Sequence, residues 1–290
     1  MNRIARFGGA FFVLPFVAAY SFLLILPFFM GLWISLNRAD LFGARQFIGL
    51  ENYTRLFADP VFYQAMGTTF MLALLIVPAL TIITLLLALA LNRATRSAAI
   101  FRGLFFSSSV LSVTIVTLIW RFVLTPDAGL IAKVLMAVGM EPIPFLSDPD
   151  LTVPAVAITT IWWGLGLPMM LFLAGLQQIP RDIYEAAALD RSSRWTTFYR
   201  ITLPSLRRTT ILVVMLQTAA QLQIFGQAQL LTAGGPSGSS RPIVLYIYEI
   251  AFGRWELGYA IAAAEVLFVL VLVLTLGQYW LSSRNEDRAA

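Results

Sequence analysis

The residues able to do chemistry in this chain are few, and their types are restrictive. The 290 residues contain no cysteine and no histidine, which excludes thiolate nucleophiles, disulfides, histidine proton relays and metal sites built on either residue. The one lysine, Lys133, lies in Gly-Leu-Ile-Ala-Lys-Val and lacks the glycine-rich frame of a phosphate-binding loop. No paired acids fall within an apolar run, so general acid–base catalysis has no constellation to work with. Two kinds of feature remain. Gln217 and Gln221 stand one helical turn apart in an apolar run and are followed by Gln223, Gln227 and Gln229. Such amides are costly in hydrocarbon unless they face another helix or an aqueous cavity. Glu265 is the lone acid of the last apolar run; it either faces a wet cavity or stays neutral and hydrogen-bonded to a neighbouring helix.

The elements that position these groups follow from composition. Hydrophobic residues make up 59% and charged residues 12%, about half the charged share of a soluble domain. No Asp, Glu, Lys or Arg occurs between Arg6 and Arg38, Asp59 and Arg93, Arg102 and Arg121, Asp150 and Arg181, or Arg208 and Arg241, and Leu257 to Ser283 holds only Glu265. Each run has room for one crossing of about 30 Å of hydrocarbon by a helix of roughly 20 residues. Six transmembrane helices are expected, near residues 10–35, 65–92, 102–124, 153–177, 207–229 and 257–281, in one domain covering 1–290. The first run stays apolar from Phe7 through Ser35, too long for a cleavable signal sequence. With the N-terminus inside, thirteen of the twenty basic residues lie on inner segments, among them Arg3, Arg6, Arg93, Arg96, Arg102, Arg284 and Arg288. The positive-inside rule then places both termini in the cytoplasm of a multi-pass inner-membrane protein. The net charge of +5 is an insertion signal and needs no nucleic acid to explain it.

The inner segment Gln177 to Arg208 stands apart. It holds six basic residues around Ala186, Ala187, Ala188 and Leu189. Pro180 suits a first helical turn and Asp182 favours the helix dipole. Ile183, Ala186, Ala187 and Asp190 share one helical face, and Trp195, Phe198 and Tyr199 share another. Two short helices at an angle are predicted, the second closed by Leu203-Pro204 because proline bars its predecessor from the helical region.

Glu185-Ala186-Ala187-Ala188-Leu189-Asp190, followed by Trp195, Phe198, Ile201, Thr202, Leu203 and Pro204, resembles the EAA motif of ABC importer permeases. The version is that of carbohydrate-uptake permeases of the maltose and glycerol-phosphate type. Similar stretches extend over nearly the whole chain: Gly49-Leu50-Glu51-Asn52-Tyr53, Ile119-Trp120-Arg121-Phe122, Pro126 to Leu130, Ala174 to Pro180, Leu231 to Gly235, and Tyr248-Glu249 with Ala251-Phe252. The Gly-Leu-Glu-Asn-Tyr run looks like the first of the two permease types in such importers.

The resemblance implies an all-α polytopic fold of the type I ABC importer permeases, with a cytoplasmic coupling helix in segment 181–204 and no catalytic activity of its own. Implied partners are a second permease subunit, a dimer of cytoplasmic ATPase subunits that bind ATP and Mg, a periplasmic or lipid-anchored substrate-binding protein docking near Asn52 and Gly234 to Ser237, and a sugar. This chain would bind no cofactor or metal. Glu185, Ala186, Ala187, Leu189, Asp190 and Arg191 are the implied ATPase-coupling residues. Arg191 stands where the family usually has glycine, so either it is strained or the bend is built differently. By the same carry-over Gln217, Gln221 and Ile224, with Thr160, Gly164 and Leu167, are implied substrate contacts; helix packing is the competing role for the glutamines. Trp162 and Trp163 either stack on a sugar ring or pack against lipid and protein. A secondary transporter driven by an ion gradient is the alternative from another class, and it would need an ion site that Glu265 alone does not make.

Overall fold

The computed structural model describes residues 13–40, 42–43, 45–126 and 128–286. The expected start of the first span at residues 10–12, Arg3, Arg6 and Arg288, and Asp127 of the Pro126 to Leu130 stretch therefore lie outside the described residues. Among the described residues the secondary structure is helical apart from one antiparallel strand pair. In chain order the elements are α1 (Val13–Ser35), β1 (Asn37–Ala39), β2 (Arg45–Phe47), α2 (Glu51–Ala58), α3 (Pro60–Leu91), α4 (Arg96–Ser108), α5 (Val113–Leu124), α6 (Leu130–Ala137), α7 (Pro149–Trp163) and α8 (Gly166–Gln177). Then follow α9 (Arg181–Leu189), α10 (194–205), α11 (Arg207–Gln221), α12 (Gly226–Leu231), α13 (Ile243–Gly253) and α14 (Leu257–Glu286).

Among the described residues, three helices are long and apolar enough to cross a bilayer unbroken: Val13–Ser35, Pro60–Leu91 and Leu257–Ser282. The third and fourth expected spans are interrupted. The α4–α5 pair bends by 98° and the α7–α8 pair by 49°, so up to five crossings are present by length and composition if each pair is one span. The expected span at 207–229 is also divided, because α11 stops at Gln221 after 15 residues, about 22 Å of helix, and α12 begins only at Gly226.

Two compact units make up the chain: 1–62 with 246–269, and 63–245 with 270–290. In the first, β1 pairs antiparallel with β2 in the register Asn37↔Phe47, Arg38↔Gln46 and Ala39↔Arg45. The Gly49-Leu50-Glu51-Asn52-Tyr53 run closes the end of α1. Gly49 takes the left-handed conformation (φ +61°) that glycine reaches without Cβ strain. Buried Asn52 donates through Nδ2 to the carbonyls of Ser35 (2.7 Å) and Asn37 (3.0 Å), pairing acceptors freed where α1 ends. Tyr53 Oη lies 2.7 Å from Ser35 Oγ, and Glu51 pairs with Arg38 at 3.1 Å on the surface. Nearly all large side chains of α1 are exposed, as expected of a helix that meets lipid or another subunit rather than its own chain.

The second unit carries two apolar clusters. Leu72, Ile76 and Leu80 of α3 pack with Val153 and Val156 of α7, Ile224 and Leu231. Met169, Phe172 and Leu176 of α8 pack with Ala88, Leu206 and Val213.

In the first unit, Asp59 accepts hydrogen bonds from Tyr246 Oη (2.6 Å), the Val61 amide (2.8 Å) and Tyr259 Oη (3.1 Å). Burial pushes its carboxyl up, but the hydrogen bonds outweigh burial and hold it below its ordinary value. A depressed carboxylate stabilises the fold above its unfolded pKa and loses that contribution as pH falls through the folded pKa. Tyr246→Phe removes the shortest of these bonds and should cost about 1–2 kcal/mol. Thermal unfolding measured from neutral to acid pH should depend less on pH in the variant than in the wild type.

Candidate functional site

The three helix interruptions converge. A cavity of about 520 Å³ is lined by Ser109 and Val113 from the first break, Trp163 and Gly164 from the second, and Gln223, Ile224 and Phe225 from the third, together with Gln217, Gln221 and Gln227. Non-helical backbone at membrane depth is tolerated where it is buried in protein or lines a water-filled space, because hydrocarbon offers the freed groups no partner. Here the first two breaks partner each other. Ser109 Oγ donates to the Trp163 carbonyl at 3.1 Å and accepts from the Gly166 amide at 3.1 Å, so one hydroxyl serves the end of α7 and the start of α8. Trp163 Nε1 in turn donates to the Leu111 carbonyl inside the first break (3.0 Å). The approach is close enough that a Cβ on Gly166 would come 2.9 Å from Phe106 Cα, and one on Gly226 would come 2.9 Å from Val113 Cγ2.

Of the residues expected along a substrate pathway, Gly164, Leu167, Gln217, Gln221 and Ile224 line this cavity together. Thr160 does not. It is buried, and its hydroxyl donates to the Val156 carbonyl within α7 (2.7 Å). Gln221 Nε2 donates to Gln217 Oε1 at 3.2 Å, so these two cavity-lining amides are linked to each other, while Gln223 Nε2 donates to the Ala219 carbonyl (3.0 Å). None of the lining residues is ionisable. Trp163 belongs to the wall, whereas Trp162 packs edge-on against Trp120 with ring centroids 6.0 Å apart. Sequence reasoning missed Ser109, Val113 and Trp163's role as a hydrogen-bond donor, whereas Gln223 and Gln227, expected to face a helix or a cavity, do line it. The Ser107-Ser108-Ser109 run followed by Ser112 was the signal, since serine favours caps and turns over helix interiors. Glu265 lies elsewhere, in the first unit, half-buried against α1 where a Cβ on Gly31 would meet its Oε1 at 3.4 Å.

The expected coupling residues sit on α9 and its turn. Glu185, Ala186, Leu189, Asp190 and Arg191 are exposed, Leu189 by 86%, while Ala187 is buried. Ala186, Ala187 and Asp190 line a concavity of about 550 Å³ shared with Thr197, Arg200 and Ile201 of α10. Tyr184 Oη, which the sequence did not single out, lies 3.0 Å from Thr202 Oγ1 and ties the two helices together. Trp195 stacks on Tyr199 with centroids 6.0 Å apart, and both rings are exposed.

Arg191 is the strained alternative realised. Its φ is +50°, its amide bonds the Ala188 carbonyl (3.1 Å) and the Ser192 amide bonds the Ala187 carbonyl (3.0 Å). This is the Schellman ending of a helix with Arg191 at the left-handed position that glycine fills most readily. One expectation is corrected. Leu203-Pro204 does not end the second helix, because Leu203 keeps helical angles (φ −65°, ψ −43°) and α10 runs on to Ser205. A wide π-turn over Phe198–Thr202 directly precedes the proline. It changes the hydrogen-bond register where the ring would otherwise strike a carbonyl.

Residues 62–287 match the family described as binding-protein-dependent transport system inner membrane component. The chain belongs to this family. It is 32% identical to a multiple sugar-binding transport system permease protein of Streptococcus mutans over 280 residues, 96% of each chain. It is also 32% identical to a trehalose/maltose transport system permease protein of Thermococcus litoralis, covering 92% of this chain and 90% of that one. Among solved structures, a chain of a bacterial alginate ABC transporter in complex with an alginate pentasaccharide-bound periplasmic protein superposes with a TM-score of 0.84 at 25% identity, covering 94% of this chain and 93% of that chain. The chain is thus a membrane-embedded transport component with the ABC importer permease fold.

Two outcomes test the local geometry. Ser109→Ala leaves the Trp163 carbonyl and the Gly166 amide without their shared partner and should destabilise the protein by about 1–3 kcal/mol, read as a lowered midpoint of thermal unfolding. Arg191→Gly relieves a left-handed arginine and should stabilise the α9 turn by about 1 kcal/mol, read as slower proteolysis between α9 and α10.

Proposed function

We propose that this chain is one of the two membrane-spanning subunits, of the first permease type, in an ABC importer that moves a sugar or sugar derivative across the bacterial inner membrane. Six crossings are proposed, each interrupted helix pair counting as one and 207–231 supplying the fifth. Both termini are assigned to the cytoplasm on the distribution of basic residues. The observation that carries the reading is the amide-lined cavity at the meeting point of three helix breaks, in a chain whose relatives are named as sugar permeases.

The amides of Gln217 and Gln221 offer donors and acceptors that match sugar hydroxyls, and Gly164, Leu167 and Ile224 complete the wall. A loaded binding protein delivers the sugar from outside. Asn52 is buried in its own unit, so docking falls to exposed neighbours such as Leu50 and Glu51, and to Ala233 and Ser237 of the Thr232 to Gly238 loop. ATP and Mg bind to a pair of separate ATPase subunits. Their closure moves α9, with Glu185 and Leu189 as the outward contacts, and access to the cavity alternates between the two sides. Hydrolysis resets the cycle.

The test is substrate-stimulated ATPase and uptake by the complex reconstituted in vesicles. Glu185→Ala should keep the complex assembled while lowering uptake per ATP hydrolysed by about tenfold, the loss of one charge-assisted contact. Normal coupling in that variant overturns the assignment of α9. Uptake that depends on a proton or sodium gradient and not on ATP overturns the importer reading.

A further inference from the structure

The wall of the cavity at the helix breaks is polar without being charged. Four glutamines line it, Gln217 and Gln221 on α11, Gln223 in the third break and Gln227 on α12. Among the described lining residues there is no Asp, Glu, Lys or Arg. The helices that form the wall keep their charges at a distance. Arg102 precedes the end of α4 at Ser108 by six residues, about 9 Å of helix, and Arg121 follows Val113 on α5 by eight, about 12 Å. Arg208 precedes Gln217 on α11 by nine, about 14 Å, and α8 and α12 contain no charged residue. Each glutamine amide offers donors on its nitrogen and acceptors on its oxygen. Only part of that capacity is spent within the chain: Gln221 donates once to Gln217 (3.2 Å) and Gln223 once to the Ala219 carbonyl (3.0 Å).

We propose that the cargo is an uncharged sugar, as opposed to a uronate, a phosphorylated or sulfonated sugar or a free amino sugar, and that the glutamine wall of this chain selects for it. The inference rests on the transport reading above and narrows its cargo. A sugar hydroxyl both donates and accepts, so it pairs with either end of an amide. A carboxylate, phosphate or sulfonate only accepts. It would satisfy amide nitrogens, face amide oxygens of like partial charge and find no cation in this wall. An ammonium group meets the converse problem, because the wall offers it acceptors but no acid. A charge enclosed without an opposite charge costs far more than a hydroxyl enclosed with a hydrogen-bond partner. In the proposed cycle that cost falls at the stage between outward and inward access, when bulk water no longer compensates it.

The test uses the assembled complex in vesicles of phosphatidylethanolamine and phosphatidylglycerol, with ATP on the ATPase side and the binding protein on the other. An equal mixture of maltose, trehalose, lactose and cellobiose with digalacturonate, trehalose 6-phosphate and glucosamine is supplied, and the vesicle contents are read by mass spectrometry. Neutral members should enter in an ATP-dependent manner and charged members should not. Gln221→Glu and Gln221→Arg, each of which sets a charge in the wall, should lower the initial rate of neutral entry by about tenfold or more, and further than Gln221→Met, which keeps the length and adds no charge. ATP-dependent entry of a charged member at a rate similar to the neutral ones overturns the inference and leaves the transport reading standing. Charged variants that import the neutral members no worse than Gln221→Met overturn the assignment of selection to this wall. Entry of no member overturns the sugar-import reading, and this inference with it.

Discussion

A backbone that leaves the helix inside a bilayer must find partners for every group it frees, and in this chain two of the breaks supply them to each other. The end of α7, the start of α8 and the linker before α5 are held by Ser109 and Trp163 in three hydrogen bonds of 3.0–3.1 Å. An isolated break would leave peptide groups unpaired in hydrocarbon at several kcal/mol each. The first two breaks reduce that penalty by pairing with each other, and with the third they line one cavity. Gln217 and Gln221 line this cavity, and their mutual hydrogen bond lowers a cost that would be higher on a lipid-facing surface. The close approach of Gly166 to α4 and of Gly226 to Val113 is the steric side of the same arrangement.

Much of this was legible in the sequence, for a physical reason. Hydrocarbon forbids charge, so charge-free runs locate membrane segments without reference to their shape, and the amides within them mark a polar interior. The runs say nothing about continuity. Ser107 to Ser112 and Gly164 read as mild features of an apolar stretch, because serine and glycine are common in membrane helices and their cost is visible only when a neighbour supplies the compensating bond. The proline of α10 failed as a stop signal for a related reason. Its local preference is against the helix, but a π-turn over Phe198–Thr202 shifts the bonding register by one residue and lets the helix pass.

The Gly-Leu-Glu-Asn-Tyr run teaches a complementary lesson. Its residues are polar and lie on an expected outer segment, which invites a reading as a contact surface. Asn52 and Tyr53 instead spend their polar groups on Ser35 and Asn37 at the end of α1. A helix that emerges from lipid ends with unpaired carbonyls, and a buried asparagine amide is a compact way to pair two of them. Only the flanking Leu50 and Glu51 remain on the surface.

Transmitting a movement requires stiffness between the place where force enters and the place where it acts. Between Glu185 and the cavity the chain has few soft points. The α9 turn is fixed by two Schellman hydrogen bonds around Arg191, and Tyr184 fastens α9 to Thr202 of α10. α10 runs through Pro204 to Ser205, and α11 begins at Arg207. The next non-helical stretch after Leu206 is 222–225, the break that lines the cavity. In the proposed cycle a displacement of α9 would reach Gln217 and Gln221 through nearly continuous helix, and the first joint to absorb it would be the break at 222–225 beside the cavity. The strain stored at Arg191 fits this view: a left-handed arginine is tolerable where surrounding hydrogen bonds over-determine the turn, and a turn held that firmly passes motion on.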